Sequence, residues 1–118
     1  MDTNREDIQE LKKVIIDVLS KSKNKGAVER IGVFGSIARG DYNDKSDIDV
    51  AWEYKHLDNE KDLHDYCVLS LNIEDTLRKN FNRKVDLIDY QAFYEINQSI
   101  SDIEFKEEID KELVWIYG

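Results

Sequence analysis

The chain has 118 residues, with 17 Lys or Arg against 26 Asp or Glu, and a formal net charge of −9. Its 41% apolar residues are enough for one core and too many for intrinsic disorder, so a single domain is predicted over residues 1–118. The negative charge speaks against direct nucleic-acid binding, whose affinity rests on Lys and Arg at phosphates, and suits a basic protein partner.

A first helix is predicted over 4–21, where Ile8, Leu11, Val14, Ile15, Val18 and Leu19 form one apolar stripe at helical period. Thr3 and Glu6 have capping-box spacing. Lys21, Lys23 and Lys25 crowd its end, where cations suit the helix dipole, and Gly26 stops it. Residues 28–34 are β-branched and apolar toward their end, and read as a strand. A second strand is predicted over 47–54, with Ile48, Val50 and Trp52 on one face and Asp47, Asp49 and Ala51 on the other. A second long helix over 63–79 is expected to bury Leu63, Tyr66, Leu69, Ile73 and Leu77, with Cys67 in the core. In a third strand, 84–90, Val85 and Leu87 mark the core face and Asp86 and Ile88 the opposite one. Residues 93–109 read as helical in pieces, and 113–117 as a short final strand.

Strands alternating with helices predict an α+β fold (an α/β two-layer arrangement), a small mixed β-sheet with helices packed on one face. Cys67 is the only cysteine, so no disulfide forms within the chain, which fits a reducing cytoplasm. No apolar run approaches the ~18 residues of a membrane span, and the N-terminus has no apolar signal region.

Three of the five glycines, Gly32, Gly35 and Gly40, fall in one short stretch. There Gly35-Ser36-Ile37-Ala38-Arg39-Gly40 follows the first predicted strand directly. A strand running through Gly-Ser into a helical turn presents free backbone N–H groups, which with the Ser36 hydroxyl make an anion site suited to phosphate. Gly35 has no Cβ to hold a phosphate off, and Arg39 adds a cationic fork for a phosphate or a nearby carboxylate. Ser46-Asp47-Ile48-Asp49 then puts two carboxylates on one strand face, about 6.6 Å apart along the chain. Unpaired, that arrangement is unfavourable; a divalent cation between them makes it favourable. Oxygen-only ligands suit Mg²⁺ or Mn²⁺, not zinc.

A third carboxylate is needed to hold a second ion or to act as base. Asp86 and Asp89 lie three apart and cannot share a face of a regular strand; Asp86 is the one opposite Val85 and Leu87. Two cations about 4 Å apart would clamp the attacking and leaving oxygens of an in-line phosphoryl transfer.

Gly35-Ser36-x-x-Arg39-Gly40, then Ser46-Asp47-x-Asp49, then an apolar-flanked Asp86, resembles the DNA polymerase β-type nucleotidyltransferases. The short chain is similar to their minimal nucleotidyltransferase (MNT) branch over nearly its whole length. The resemblance implies the nucleotidyltransferase fold, with ATP as substrate and two Mg²⁺ ions. It implies that Gly35 and Ser36 bind the β- and γ-phosphates and that Asp47 and Asp49 hold both metals. Asp86 would hold the catalytic metal and help deprotonate the acceptor hydroxyl. Arg39 and Ser46 lie within the matching motifs and complete the candidate nucleotide-binding set. The chain departs from the family in lacking a proline before Ser46, and in a polar C-terminal segment where many relatives have a more regular helix.

Many MNT domains are encoded beside a HEPN-domain protein. The resemblance then implies an antitoxin that transfers AMP from ATP to a tyrosine of a HEPN ribonuclease toxin. The length is expected to leave no space for an acceptor-binding domain, which puts the acceptor on another protein. Two other functions fit the same residues: an antitoxin that occludes its toxin with the site idle, and a nucleotidyltransferase for a small molecule or an RNA end. Elsewhere, Trp52 and Trp115 are expected in packing and His56 and His64 at the surface. Tyr42 and Tyr54 are expected to flank the site; Asp41 and Asp44 are expected in a solvated turn with Asn43, with an Asp41 that orients Arg39 as the alternative. The acid run from Asp102 to Glu112 reads as a solvated face or a partner-docking surface.

Overall fold

Ile8, Leu11, Ile15 and Leu19 recur three or four residues apart, and all four are buried in α1 (Glu6–Ser20). The computed structural model describes residues 5–22, 25–55, 58–91 and 100–118. α1 starts after Arg5 with no side-chain cap; Thr3, of the expected capping box, lies outside the described residues. There follow β1 (Val28–Phe34), α2 (Gly35–Arg39), β2 (Ile48–Tyr54), α3 (Glu60–Phe81), β3 (Val85–Asp89), α4 (Ile100–Glu112) and β4 (Val114–Tyr117).

The sheet order is β3-β2-β1-β4. β2 and β3 run parallel, joined by α3, while β1 is antiparallel to both β2 and β4. The sheet is therefore mixed, as expected. The segment read as helical in pieces is one regular helix over Ile100–Glu112, so the expected irregularity of the C-terminal segment is corrected; residues 93–99 lie outside the described ones.

Period-two alternation decides what each sheet face packs against. Ile31, Val33, Ile48, Val50 and Trp52 point to α1 and α3, where they meet Ile15, Leu69, Ile73 and Leu77 in the main core. Phe34 and Ala51 point the other way and pack with Tyr90 and Ile109 of α4 in a smaller cluster. Asp49 shares that second side by alternation, so the sheet's less covered face carries the charged site. No described helix is long and apolar enough to cross a membrane.

Two expectations for α3 are corrected. Leu63 is 52% exposed and Cys67 is exposed. A 22-residue helix is about 33 Å long, whereas a seven-residue strand spans about 23 Å, so the first turns of α3 overhang the sheet. Cys67 is two residues from the buried Leu69, about 200° around the helix, and faces outward. Tyr54 is also corrected: it is buried among Trp52 and Tyr66 on the helix side, away from the aspartates. Trp52 is fully buried, and Trp115 packs on the smaller cluster under the Arg30 guanidinium at 3.8 Å. His64 is exposed, and His56 lies outside the described residues.

Candidate functional site

Phe34 ends β1 opposite Asp49 of β2, and the chain turns at once through Gly35, whose φ is 69°. That left-handed conformation is open chiefly to glycine. A Cβ on Gly35 would collide with Asp49 Oδ2. The absence of a side chain thus lets the carboxylate lie against the loop backbone. Across the other edge of β2, Asp49 is the register partner of Asp86 on β3, one strand spacing of about 4.8 Å away. Asp47 lies just ahead of β2 and is partly buried; Asp86 is exposed.

Burial is the main cause that pushes the Asp49 carboxyl up to about 6. The charges of Asp86, Asp47 and Glu112 add to it. The site therefore concentrates negative charge that its cations do not cancel. The sign of the pH effect follows. Asp49 holds its proton more tightly folded than at its ordinary value of 3.8. Its contribution to stability is full below that value and is lost as pH rises through about 6. The metal-free chain should thus lose urea stability between pH 4 and pH 6, and Asp49→Asn should flatten that slope. An equal slope in the variant would contradict the assignment.

The loop after Gly35 is held at both ends. Glu112, the last residue of α4, accepts from the Gly35 N–H at 3.0 Å and from Arg39 Nη1 at 2.5 Å. Arg39 also pairs with Asp41 at 3.1 Å, the alternative to a purely solvated turn for that residue. Gly40 caps α2 in the left-handed region, its N–H on the Ser36 carbonyl. Arg5 donates to the carbonyls of Ile37 at 2.7 Å and Ala38 at 2.9 Å. Tyr42 does not turn to the aspartates; its hydroxyl donates to Asp7 at 2.6 Å.

Ser46 serves the turn that delivers Asp47. Its Oγ accepts from the Asn43 N–H at 3.0 Å. Arg83 donates to the carbonyls of Asn43 and Ser46 and lies 5.1 Å over the Tyr42 ring. Arg83→Met should loosen this turn and weaken Mn²⁺ binding about tenfold, read by electron paramagnetic resonance. Unchanged affinity would show that Asp47 is positioned without it.

The two third-strand acids lie on opposite faces of β3, as parity predicts. Asp89 faces α3 and accepts from the Tyr66 hydroxyl at 3.3 Å, whereas Asp86 lies with Asp49. Both Asp49 and Asp86 line an open cleft of about 460 Å³, which also touches Phe34, Ile88 and Phe105. Among the described residues, no group of three His, Cys, Asp or Glu stands ready to enclose an ion as the side chains lie. The donor set nonetheless fits a hard cation: all oxygen, mutually repelling, and seated against a glycine backbone. The three aspartates would need to turn inward around it.

Glu112 reads in the sequence only as the end of the acid run, not as a partner of the loop. It is 77 residues from Gly35 and sits in an acid run whose local pattern carries no sign of that contact.

The family model "Polymerase beta, Nucleotidyltransferase" matches residues 13–118. A Methanocaldococcus jannaschii protein provisionally named a protein adenylyltransferase is 29% identical over 109 residues, which is 92% of this chain and 97% of the relative. A crystal structure of a toxin–antitoxin with AMP-PNP is similar in fold, with a TM-score of 0.60 at 19% identity. That match covers 91% of this chain and 73% of the other. A structure provisionally described as a minimal nucleotidyltransferase matches with a TM-score of 0.58 at 22% identity, over 94% and 97% of the two chains.

Proposed function

Because the chain belongs to the polymerase beta nucleotidyltransferase family, we propose that it transfers AMP from ATP to a tyrosine of a cognate HEPN ribonuclease toxin and so acts as its antitoxin. The observation that carries the site is Asp49, held against the Gly35 backbone and beside Asp86 on the parallel strand. The name of the M. jannaschii relative and the toxin–antitoxin of similar fold support the choice of a protein acceptor.

In this reading Asp47 and Asp49 hold two Mg²⁺ ions, and Asp86 holds the catalytic one; Mn²⁺ would serve as well. The ions supply charge neutralisation of the triphosphate and acidify the acceptor hydroxyl. Gly35 and Ser36 orient the β- and γ-phosphates through backbone N–H and hydroxyl donors. Arg39 adds a guanidinium at the loop's end. Ser46 contributes from the turn that sets Asp47. The acceptor oxygen then bonds to the α-phosphorus, its proton passes toward the Asp86 carboxylate, and the bond to the β-phosphate oxygen breaks to release pyrophosphate. The chain's net charge of −9 favours a basic partner over RNA as acceptor.

The test is mass spectrometry of a co-expressed HEPN partner after incubation with the protein, ATP and Mg²⁺. One or a few AMP units should appear on the partner, located to tyrosine by fragmentation. A tight complex with no added mass would favour neutralisation by occlusion, and labelling of RNA without the partner would favour a nucleic-acid acceptor.

A further inference from the structure

The Gly35 N–H and the Arg39 guanidinium, two groups that the proposed function gives to nucleotide phosphate, already hold an anion: the Glu112 carboxylate. Its Oε2 accepts from the Gly35 N–H at 3.0 Å, and its Oε1 takes Arg39 Nη1 at 2.5 Å. The Glu112 side chain is 22% exposed and that of Arg39 43%. We propose that Glu112 is an internal competitor for the phosphate seat, so that a nucleotide triphosphate binds by taking Gly35 and Arg39 from it. This inference rests on the nucleotide reading of the loop.

A carboxylate and a phosphate present the same paired anionic oxygens to a guanidinium fork and a backbone N–H. A single N–H cannot serve both at full strength, and the two anions repel at that distance. Glu112 also closes the junction between α4 and β4, and its contacts fasten the end of α4 to the loop. The contact is an ion pair on a partly exposed site, which is weak enough to be displaced. Other anchors keep α4 on the sheet when it goes: Ile109 is buried, and the Tyr90 hydroxyl donates to Asp110.

The opposite role is a strut, in which Glu112 holds Arg39 and Gly35 ready for phosphate. The two roles predict opposite signs on removal. Isothermal titration with a non-hydrolysable ATP analogue and Mg²⁺ separates them. Glu112→Gln and Glu112→Ala should each bind about two- to fivefold tighter than the wild-type chain, the size of one partly exposed ion pair. Glu108→Gln makes the same change in net charge on α4 at an exposed acid paired with Lys111, and should leave the affinity unchanged.

Thermal melts of all four proteins check that each is folded. Glu112→Gln can still accept from the Gly35 N–H and so guards against a collapse of the loop in the alanine variant. Binding that is unchanged or weaker in both Glu112 variants, or equally tightened in Glu108→Gln, would overturn the proposal while leaving the nucleotide site intact. No binding by the wild-type chain or by any variant would instead remove the nucleotide reading, and this inference with it.

Discussion

Replacing Asp47 and Asp49 together by asparagine should abolish AMP transfer, a loss of about 10³-fold or more, while leaving a folded and more stable protein. The loss follows from the charge. Asparagine keeps the shape and the neutral acceptor oxygen of aspartate but cannot hold a hard divalent cation against competing water. Cation contacts to the transferring phosphate supply several kcal/mol of barrier lowering, and about 4 kcal/mol corresponds to 10³ in rate. The gain in stability follows from the same crowding. Burial and neighbouring acids push Asp49 up to about 6, so at neutral pH the ionised group is a burden on the fold that asparagine removes. A thermal melt beside a transfer assay reads both effects. An inactive variant with a lower Tm would mean that the aspartates support the fold, and an active one would mean that transfer does not use them. Partner binding by the double variant distinguishes neutralisation by modification from neutralisation by occlusion.

The second large effect is expected at Gly35. Alanine there must adopt a φ of 69°, which costs about 1–3 kcal/mol for a residue with a side chain. Its Cβ also meets Asp49 Oδ2 and the carboxyl carbon behind it. Either the loop shifts away from β2 or Asp49 rotates out, and the loop's N–H donors and the Asp49 carboxylate separate in both cases. A shift of about 1 Å at a reacting centre costs roughly 10²-fold in rate. Gly35→Ala should therefore lower both Tm and transfer. Its partner in a double-mutant cycle is Asp49→Ala, which empties the space that the new methyl needs. The stability loss of Gly35→Ala should be smaller in the Asp49→Ala background, leaving only the backbone strain. Strict additivity would show that the collision with Asp49 is not what constrains this position.

The parts of this molecule that were legible in the sequence are those governed by local spacing. Alternation in β2 separated Ile48, Val50 and Trp52 from Asp49, and the structure buries the first three while turning the fourth to the loop. Alternation in β3 likewise separated Asp86 from Val85 and Leu87, and register then brought Asp86 beside Asp49. Gly35 stood out because a strand that meets glycine and serine has little reason to be there except a turn that needs a positive φ.

What escaped notice depends on distances in space that spacing does not carry. Leu63 and Cys67 fit an apolar helical pattern, but the helix is longer than the sheet it covers, and pattern alone does not say where the sheet ends. Tyr54 was expected near the aspartates because it is close to them in sequence, yet it lies on the opposite face of its own strand. Glu112 belongs to a run of acids that reads as solvated, and only the return of α4 across the second sheet face sets it on Gly35 and Arg39.

In the proposed function Asp47, Asp49 and Asp86 form a metal-dependent nucleotide site against the Gly35 loop. Anomalous diffraction at the manganese edge, from crystals grown with Mn²⁺ and a non-hydrolysable ATP analogue, tests it most directly. Manganese peaks are expected at Asp47, Asp49 and Asp86, with the β- and γ-phosphates on Gly35 and Ser36. Manganese or nucleotide seated elsewhere, with these three aspartates free of metal, would contradict it.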